Sequence, residues 1–324
     1  MLHLNEIPFL EIGGFRVGHA QDETAATGCT VLLFDELAVT GVDIRGGGPA
    51  SRETPLLSPL AVSGGIHAIL LSGGSAFGLD AAGGVMRWLE ERGIGFEVGP
   101  FRVPLVCESC VFDLGIGDGT VRPDAAMAYA ACAAASNESL QEGCVGAGTG
   151  CTVGKAHGAD FSMKSGLGAW AGQVGPLKVG AIVAVNALGD VYDIDTGKEL
   201  AGMLNLQKTA PCSSEEAILQ DLERFAAQAG ANTTIGVVVT NAKLDKAQMN
   251  KVASMAYNGY ARTIRPVNTT ADGDSIYAAS TGQVPMAIDV VGTLAAYAMG
   301  KAVDRAVLTA RGMCGLPAAC DLPA

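Results

Sequence analysis

Apolar and β-branched residues gather in short runs at Cys29–Phe34, Leu37–Val42, His67–Leu71, Val179–Val185 and Ile235–Thr240, and each run predicts a buried strand. Apolar positions recur at helical spacing in Leu79–Arg92, Ala125–Ala135, Glu215–Ala227, Lys246–Tyr260 and Val291–Arg311. Ser213-Ser214-Glu215-Glu216 adds a start signal to the third of these, with a hydroxyl to cap and acids in the first turn. Strands and long helices are interspersed, so the pattern predicts a layered α/β or α+β fold without choosing between them. No short internal repeat or low-complexity linker interrupts the chain.

Composition narrows the class. Over 324 residues, 49% are hydrophobic but only 17% charged and 5% aromatic, which predicts a core of small aliphatic side chains and further surface hidden between subunits of a homo-oligomer. A net charge of −12 leaves no basic patch to neutralise phosphates and argues against nucleic acid as a partner. No run of eighteen apolar residues occurs, and Met1-Leu2-His3-Leu4-Asn5-Glu6 has no basic segment followed by an apolar core. A cytoplasmic protein away from the membrane is the expectation. Nine scattered cysteines fit reduced thiols better than a disulfide framework, and Cys107-Glu108-Ser109-Cys110 lacks the second pair that a zinc site needs.

Candidate chemistry lies at the start of the last predicted strand. Asn232-Thr233 follows the small residues Ala229-Gly230-Ala231, and Asp272-Gly273-Asp274 lies downstream. A threonine hydroxyl is a weak nucleophile that needs a base close by. If the chain breaks before Thr233, the freed α-amine, with a reference pKa of roughly 7.7–8.0, can be that base. Cleavage would use the same hydroxyl, attacking the Asn232 carbonyl. Taken alone, the dipeptide also reads as a loop end entering a core strand, and Asp272-Gly273-Asp274 as a polar turn.

Longer blocks add a resemblance. Leu32–Phe34, Val42-Asp43-Ile44-Arg45-Gly46-Gly47-Gly48-Pro49, His67 through Ala82, Val145-Gly146-Ala147-Gly148-Thr149-Gly150, Val183–Ala187 and the Asn232-Thr233 junction are similar, in content and order, to the DmpA-type self-processing aminopeptidases. Their relatives include β-peptidyl aminopeptidases, pantetheine hydrolases and nylon-oligomer hydrolases. The resemblance implies an α+β fold, a four-layer αββα sandwich. It also implies one co-folded unit over residues 1–324, cut into 1–232 and 233–324, with the two pieces held together and αβ units assembled as tetramers. By the same resemblance Thr233 is the nucleophile, Asn186 an amide facing the oxyanion, and Asp272 and Asp274 the pair that orients the nucleophile. Lys155 falls near a site lysine of the nylon-oligomer hydrolases. Phe112 stands where the family often has a tyrosine, and its ring cannot donate a hydrogen bond, so oxyanion stabilisation is expected to fall on Asn186, Lys155 and backbone N–H groups. No cofactor and no metal is implied.

Competing readings are weaker in detail. Gly148 through Lys155 resembles a phosphate loop, but Thr149 stands where a glycine is required and Ala156 follows the lysine. Gly74-Ser75-Ala76-Phe77-Gly78 does not fit G-x-S-x-G, which leaves Ser75 as a helix cap or turn residue. The expectation is a self-processing N-terminal-threonine amidohydrolase or aminopeptidase acting on small linear amides, of peptide, β-peptide or 6-aminohexanoate type. An acyltransferase of the ornithine acetyltransferase type and a non-catalytic scaffold of the same fold are the alternatives.

Overall fold

The computed structural model describes residues 3–220 and 232–322. One sheet contains β1 (Phe15–Asp22), the first half of the 18-residue strand β2 (Thr27–Ile44), β3 (Ile66–Ser72) and β4 (Val106–Cys110). β1–β2 and β2–β3 are antiparallel and β3–β4 is parallel. A second sheet runs β5 (Leu167–Val174), β6 (Leu177–Asn186), β7 (Thr233–Ala242), β8 (Ser275–Val284), and then the second half of β2. β2 therefore belongs to both sheets. Its register shifts between Leu33 and Ala38, where Asp35, Glu36 and Leu37 are exposed. The polar pair reads in sequence as a break between two strands; the structure makes it an irregularity within one.

Alternation along the strands builds the layers. On β7, Ile235, Val237 and Val239 enter a core between the two sheets, shared with Leu32, Ile69 and Leu71, while Val238 faces the other way. That outer face is covered by α3 (Lys246–Thr263) and α4 (Ile288–Leu308), and the outer face of the first sheet by α1 (Ala82–Glu90) and α2 (Ala125–Ala133). The order is helices, sheet, sheet, helices, the αββα sandwich of an α+β fold. α3 starts in a capping box, Asp245 accepting from the Gln248 N–H at 2.8 Å and the Gln248 side chain from the Asp245 N–H at 2.9 Å. It presses tightly on α4: a Cβ at Gly259 would stand 2.5 Å from the Ala296 carbonyl oxygen.

Two predicted helices change. The helix predicted from Leu79 begins at Ala82 instead, Leu79 lying in the 3-10 turn Ser75–Asp80, whose first residue Ser75 takes φ +52° and is a turn residue. The helix predicted over Glu215–Ala227 begins at Ser214, with the Glu216 N–H on Ser213 Oγ at 3.2 Å, but beyond Gln220 it lies outside the described residues, as does Ala229-Gly230-Ala231. Among the described residues no helix is long and apolar enough to cross a membrane.

Candidate active site

Parallel pairing assembles the site. β7 and β8 are joined through α3 and start side by side, Ile235 opposite Ser275, so Asp272-Gly273-Asp274 runs alongside Asn232-Thr233-Thr234. On the other flank the antiparallel β6 ends with Asn186 directly opposite Thr233. Three strand ends thus converge, and the aliphatic side chains behind them anchor β7 in the inter-sheet core, each worth about 1.5–3 kcal/mol when fully buried. Thr233 is held by the strand that follows it.

The nucleophile candidate is buried, as is Asn232. Thr233 Oγ1 donates to the Asn232 carbonyl oxygen, which also accepts the Gly273 N–H at 3.0 Å. Gly273 packs directly on the hydroxyl: a Cβ there would lie 2.7 Å from Thr233 Oγ1. Neither carboxylate takes the hydroxyl. Asp274 Oδ1 accepts the Thr234 N–H at 2.6 Å and Oδ2 the Asn268 N–H at 3.1 Å. Asp272 Oδ2 accepts both the N–H and the hydroxyl of Thr269, at 2.7 and 2.6 Å. Burial raises both carboxyls above their ordinary range, and for Asp274 the charge of Asp272 adds to the effect.

Asn186 is less open than its expected role requires. Its Nδ2 donates to the Phe112 carbonyl oxygen at 2.8 Å, and its Oδ1 accepts from the Thr152 N–H at 3.0 Å and from Lys155 Nζ at 2.7 Å. Lys155 Nζ also reaches the Asn186 carbonyl oxygen at 2.9 Å. Burial pushes the lysine down to about 7, against the pull of nearby Asp272 and Asp274. Phe112 enters the site through its backbone, which holds the asparagine amide.

A cavity of about 280 Å³ adjoins this cluster, lined by Phe112, Ile116, Leu188 and Leu316 on its apolar sides and by Asp113 and Lys155 among its polar groups. Asn232 lines it too, and its neighbour Thr233 does not. The seven residues singled out in the sequence, Phe112, Lys155, Asn186, Asn232, Thr233, Asp272 and Asp274, therefore come together around one bond and one cavity.

Two polar side chains here carry no spacing signal that sequence could reveal. Asp113 is buried, accepting the Thr27 hydroxyl and the Gly74 N–H, each at 2.7 Å. It ties the cavity wall to the first sheet. Lys164 is fully buried, its ammonium on the carbonyl oxygens of Cys151 and Ser165 at 2.7 and 2.8 Å, and burial lowers its pKa. Among the described residues no three His, Cys, Asp or Glu side chains gather as a metal site would.

Known proteins share this framework. The model of peptidase family S58 matches residues 9–319. An uncharacterised aminopeptidase of Mycobacterium leprae is 39% identical, the alignment covering 96% of this chain and 93% of that protein. A 6-aminohexanoate-oligomer endohydrolase of Kocuria sp. is 30% identical over 84% of this chain and 74% of its own length. Among solved structures, a Burkholderia sp. β-aminopeptidase superposes with a TM-score of 0.69 at 19% identity, covering 97% of this chain and 91% of its own. The L-aminopeptidase D-Ala-esterase/amidase of Ochrobactrum anthropi, described as a variant of the Ntn hydrolase fold, gives 0.69 at 18%, covering 94% and 86%.

Proposed function

Because the chain belongs to peptidase family S58 and is a hydrolase of amide bonds, we propose that it cuts itself between Asn232 and Thr233 and then uses Thr233 as its nucleophile. The observation that carries this reading is the Thr233 hydroxyl resting on the Asn232 carbonyl, the group it would attack. In self-cleavage, Oγ forms a bond to the Asn232 carbonyl carbon, the C–N bond breaks, and the hydroxyl proton ends on the departing Thr233 nitrogen. Water then hydrolyses the ester, leaving a carboxylate on Asn232 and a free amine and hydroxyl on Thr233.

Turnover of an external amide repeats the same steps. The Thr233 amine takes the hydroxyl proton and passes it to the leaving amine, an acyl group remains on Oγ, and water removes it. Asp272 and Asp274 hold the Asn232–Thr234 segment and its loop in register through their backbone bonds. Asn186 and Lys155 supply donors for the substrate's oxyanion. The two pieces remain one αβ unit, because β6 and β7 pair across the cut and share one core. The exposed apolar hairpin of Phe96–Val98 and Phe101–Val103 supports assembly of such units into homo-oligomers.

The cavity favours small linear amides, peptide or oligoamide, whose acyl part takes the space beside Asn232. A free or ω-terminal amine on that chain suits an acidic protein. Incubation with an aminoacyl p-nitroanilide followed by acid quench tests the assignment: the acyl mass should appear on the fragment that begins with Thr233. Acylation of any other residue, or p-nitroaniline release by Thr233→Ala, contradicts it.

A further inference from the structure

Resting on the self-cleavage reading above, we propose that the backbone N–H of Gly273 is the oxyanion donor when the chain cuts itself, and that Asn186 and Lys155 take no part in that step. Among the described residues the Asn232 carbonyl oxygen accepts from two groups, the Thr233 hydroxyl and the Gly273 N–H. The first is the attacking group and gives up its proton, so the donor that persists as negative charge builds on the oxygen is Gly273. At 3.0 Å from the ground-state carbonyl oxygen, this N–H already makes a hydrogen bond that can strengthen as that oxygen takes on charge. Asn186 Nδ2 is instead on the Phe112 carbonyl, and Lys155 Nζ is on the two oxygens of Asn186.

Gly273 is fixed before any charge develops. The carbonyl of Asp272 accepts the Gly48 N–H at 2.9 Å, and the carbonyl of Asp274 accepts the N–H groups of Arg45 and Gly46 at 3.1 and 3.2 Å. The segment Arg45–Gly48 thus clamps both sides of Gly273, and its N–H need not reorient. A donor that is preorganised in this way stabilises charge without reorganisation at the moment of reaction. The glycine is needed for a separate reason: any side chain would collide with the hydroxyl beside it.

The test removes one N–H donor. Cell-free synthesis of the full chain with glycolic acid at position 273 replaces the N–H by an ester oxygen and adds no side chain. Appearance of the fragment 233–324 should slow by on the order of 10²–10³-fold, the cost of losing one oxyanion donor. Glycolic acid at position 48 removes the Gly48 N–H bond to the Asp272 carbonyl and leaves the Gly273 N–H in place; this variant should cut close to the wild-type rate. Wild-type cleavage by the 273 ester, or equal slowing by the 48 ester, overturns the proposal, the second result assigning the effect to loop placement. Asn186→Ala should reduce turnover of a p-nitroanilide, measured per cleaved chain, far more than it reduces self-cleavage, and equal losses also overturn it. A wild-type chain that never divides sinks instead the reading on which the proposal rests.

Discussion

Gly273→Ala adds one methyl group against the reacting hydroxyl. The new carbon would stand 2.7 Å from Thr233 Oγ1, where ordinary contact begins at 3.4 Å, so it falls short by about 0.7 Å. It cannot retreat, because the Gly48 carbonyl oxygen lies 2.8 Å and the Pro49 Cα 3.3 Å from the same carbon. The hydroxyl must move or turn. A displacement approaching 1 Å at a reacting group costs on the order of 10²-fold in rate, or about 2.7 kcal/mol of transition-state stabilisation. Overpacking should cost about 1–3 kcal/mol of stability as well, so the variant is to be followed at a temperature well below its melting point. The assay is a denaturing gel or intact-mass time course of fragment formation, with p-nitroanilide turnover read on the cleaved fraction. Gly83→Ala is the control: in α1 its Cβ would meet nothing within 4 Å, and alanine in place of glycine favours the helix. Wild-type cleavage and turnover in Gly273→Ala would refute the placement of Thr233 Oγ1 against residue 273 and the reasoning built on it.

Other residues give sharper chemical readouts. Asp274→Asn keeps one oxygen for either the Thr234 or the Asn268 N–H but sets an amide against the other, and turnover should fall by on the order of 10²-fold with the fold retained; a near wild-type rate by steady-state kinetics would reduce the residue to a turn. Lys155, lowered to about 7 by burial, is charged below that pH and neutral above it, so its help to the oxyanion is lost as pH rises through about 7. Lys155→Met should flatten that limb of the kcat/KM profile, and an unchanged profile would exclude the lysine. Lys164→Met leaves the Cys151 carbonyl oxygen with the Ser165 N–H alone, at 3.0 Å, and takes the ammonium from the Ser165 carbonyl oxygen, a loss of about 1–3 kcal/mol readable as a lower denaturant midpoint; an unchanged midpoint would contradict it.

Periodicity reaches the elements whose burial is one-sided or continuous. The run Ile235–Thr240 lies in β7 and the helical spacing of Lys246–Tyr260 in α3, since each buries apolar residues at its own period. It misses β5 and β8, whose sequences LGAWAGQV and SIYAASTGQV are rich in Gly, Ala, Ser and Thr and are held by the neighbouring strands and helices. It misses β4 because Glu108 and Ser109 are polar yet buried. The four-layer sandwich is implied by the resemblance alone, because pairing between distant strands, such as Ile235 with Ser275, has no local signature. The same limit applies to the site. Asn232-Thr233 and Asp272-Gly273-Asp274 stand out as motifs, but only the parallel register of β7 and β8 shows that they touch, and Asp113 and Lys164 are isolated polar residues until the chain folds.

The self-made threonine nucleophile is tested most directly by the intact mass of catalytically active protein under denaturing conditions. Two polypeptides are expected, residues 1–232 and a piece of 92 residues beginning at Thr233, with Thr233→Ala remaining a single inactive chain. Full activity in protein that runs as one undivided chain of 32.8 kDa would contradict it.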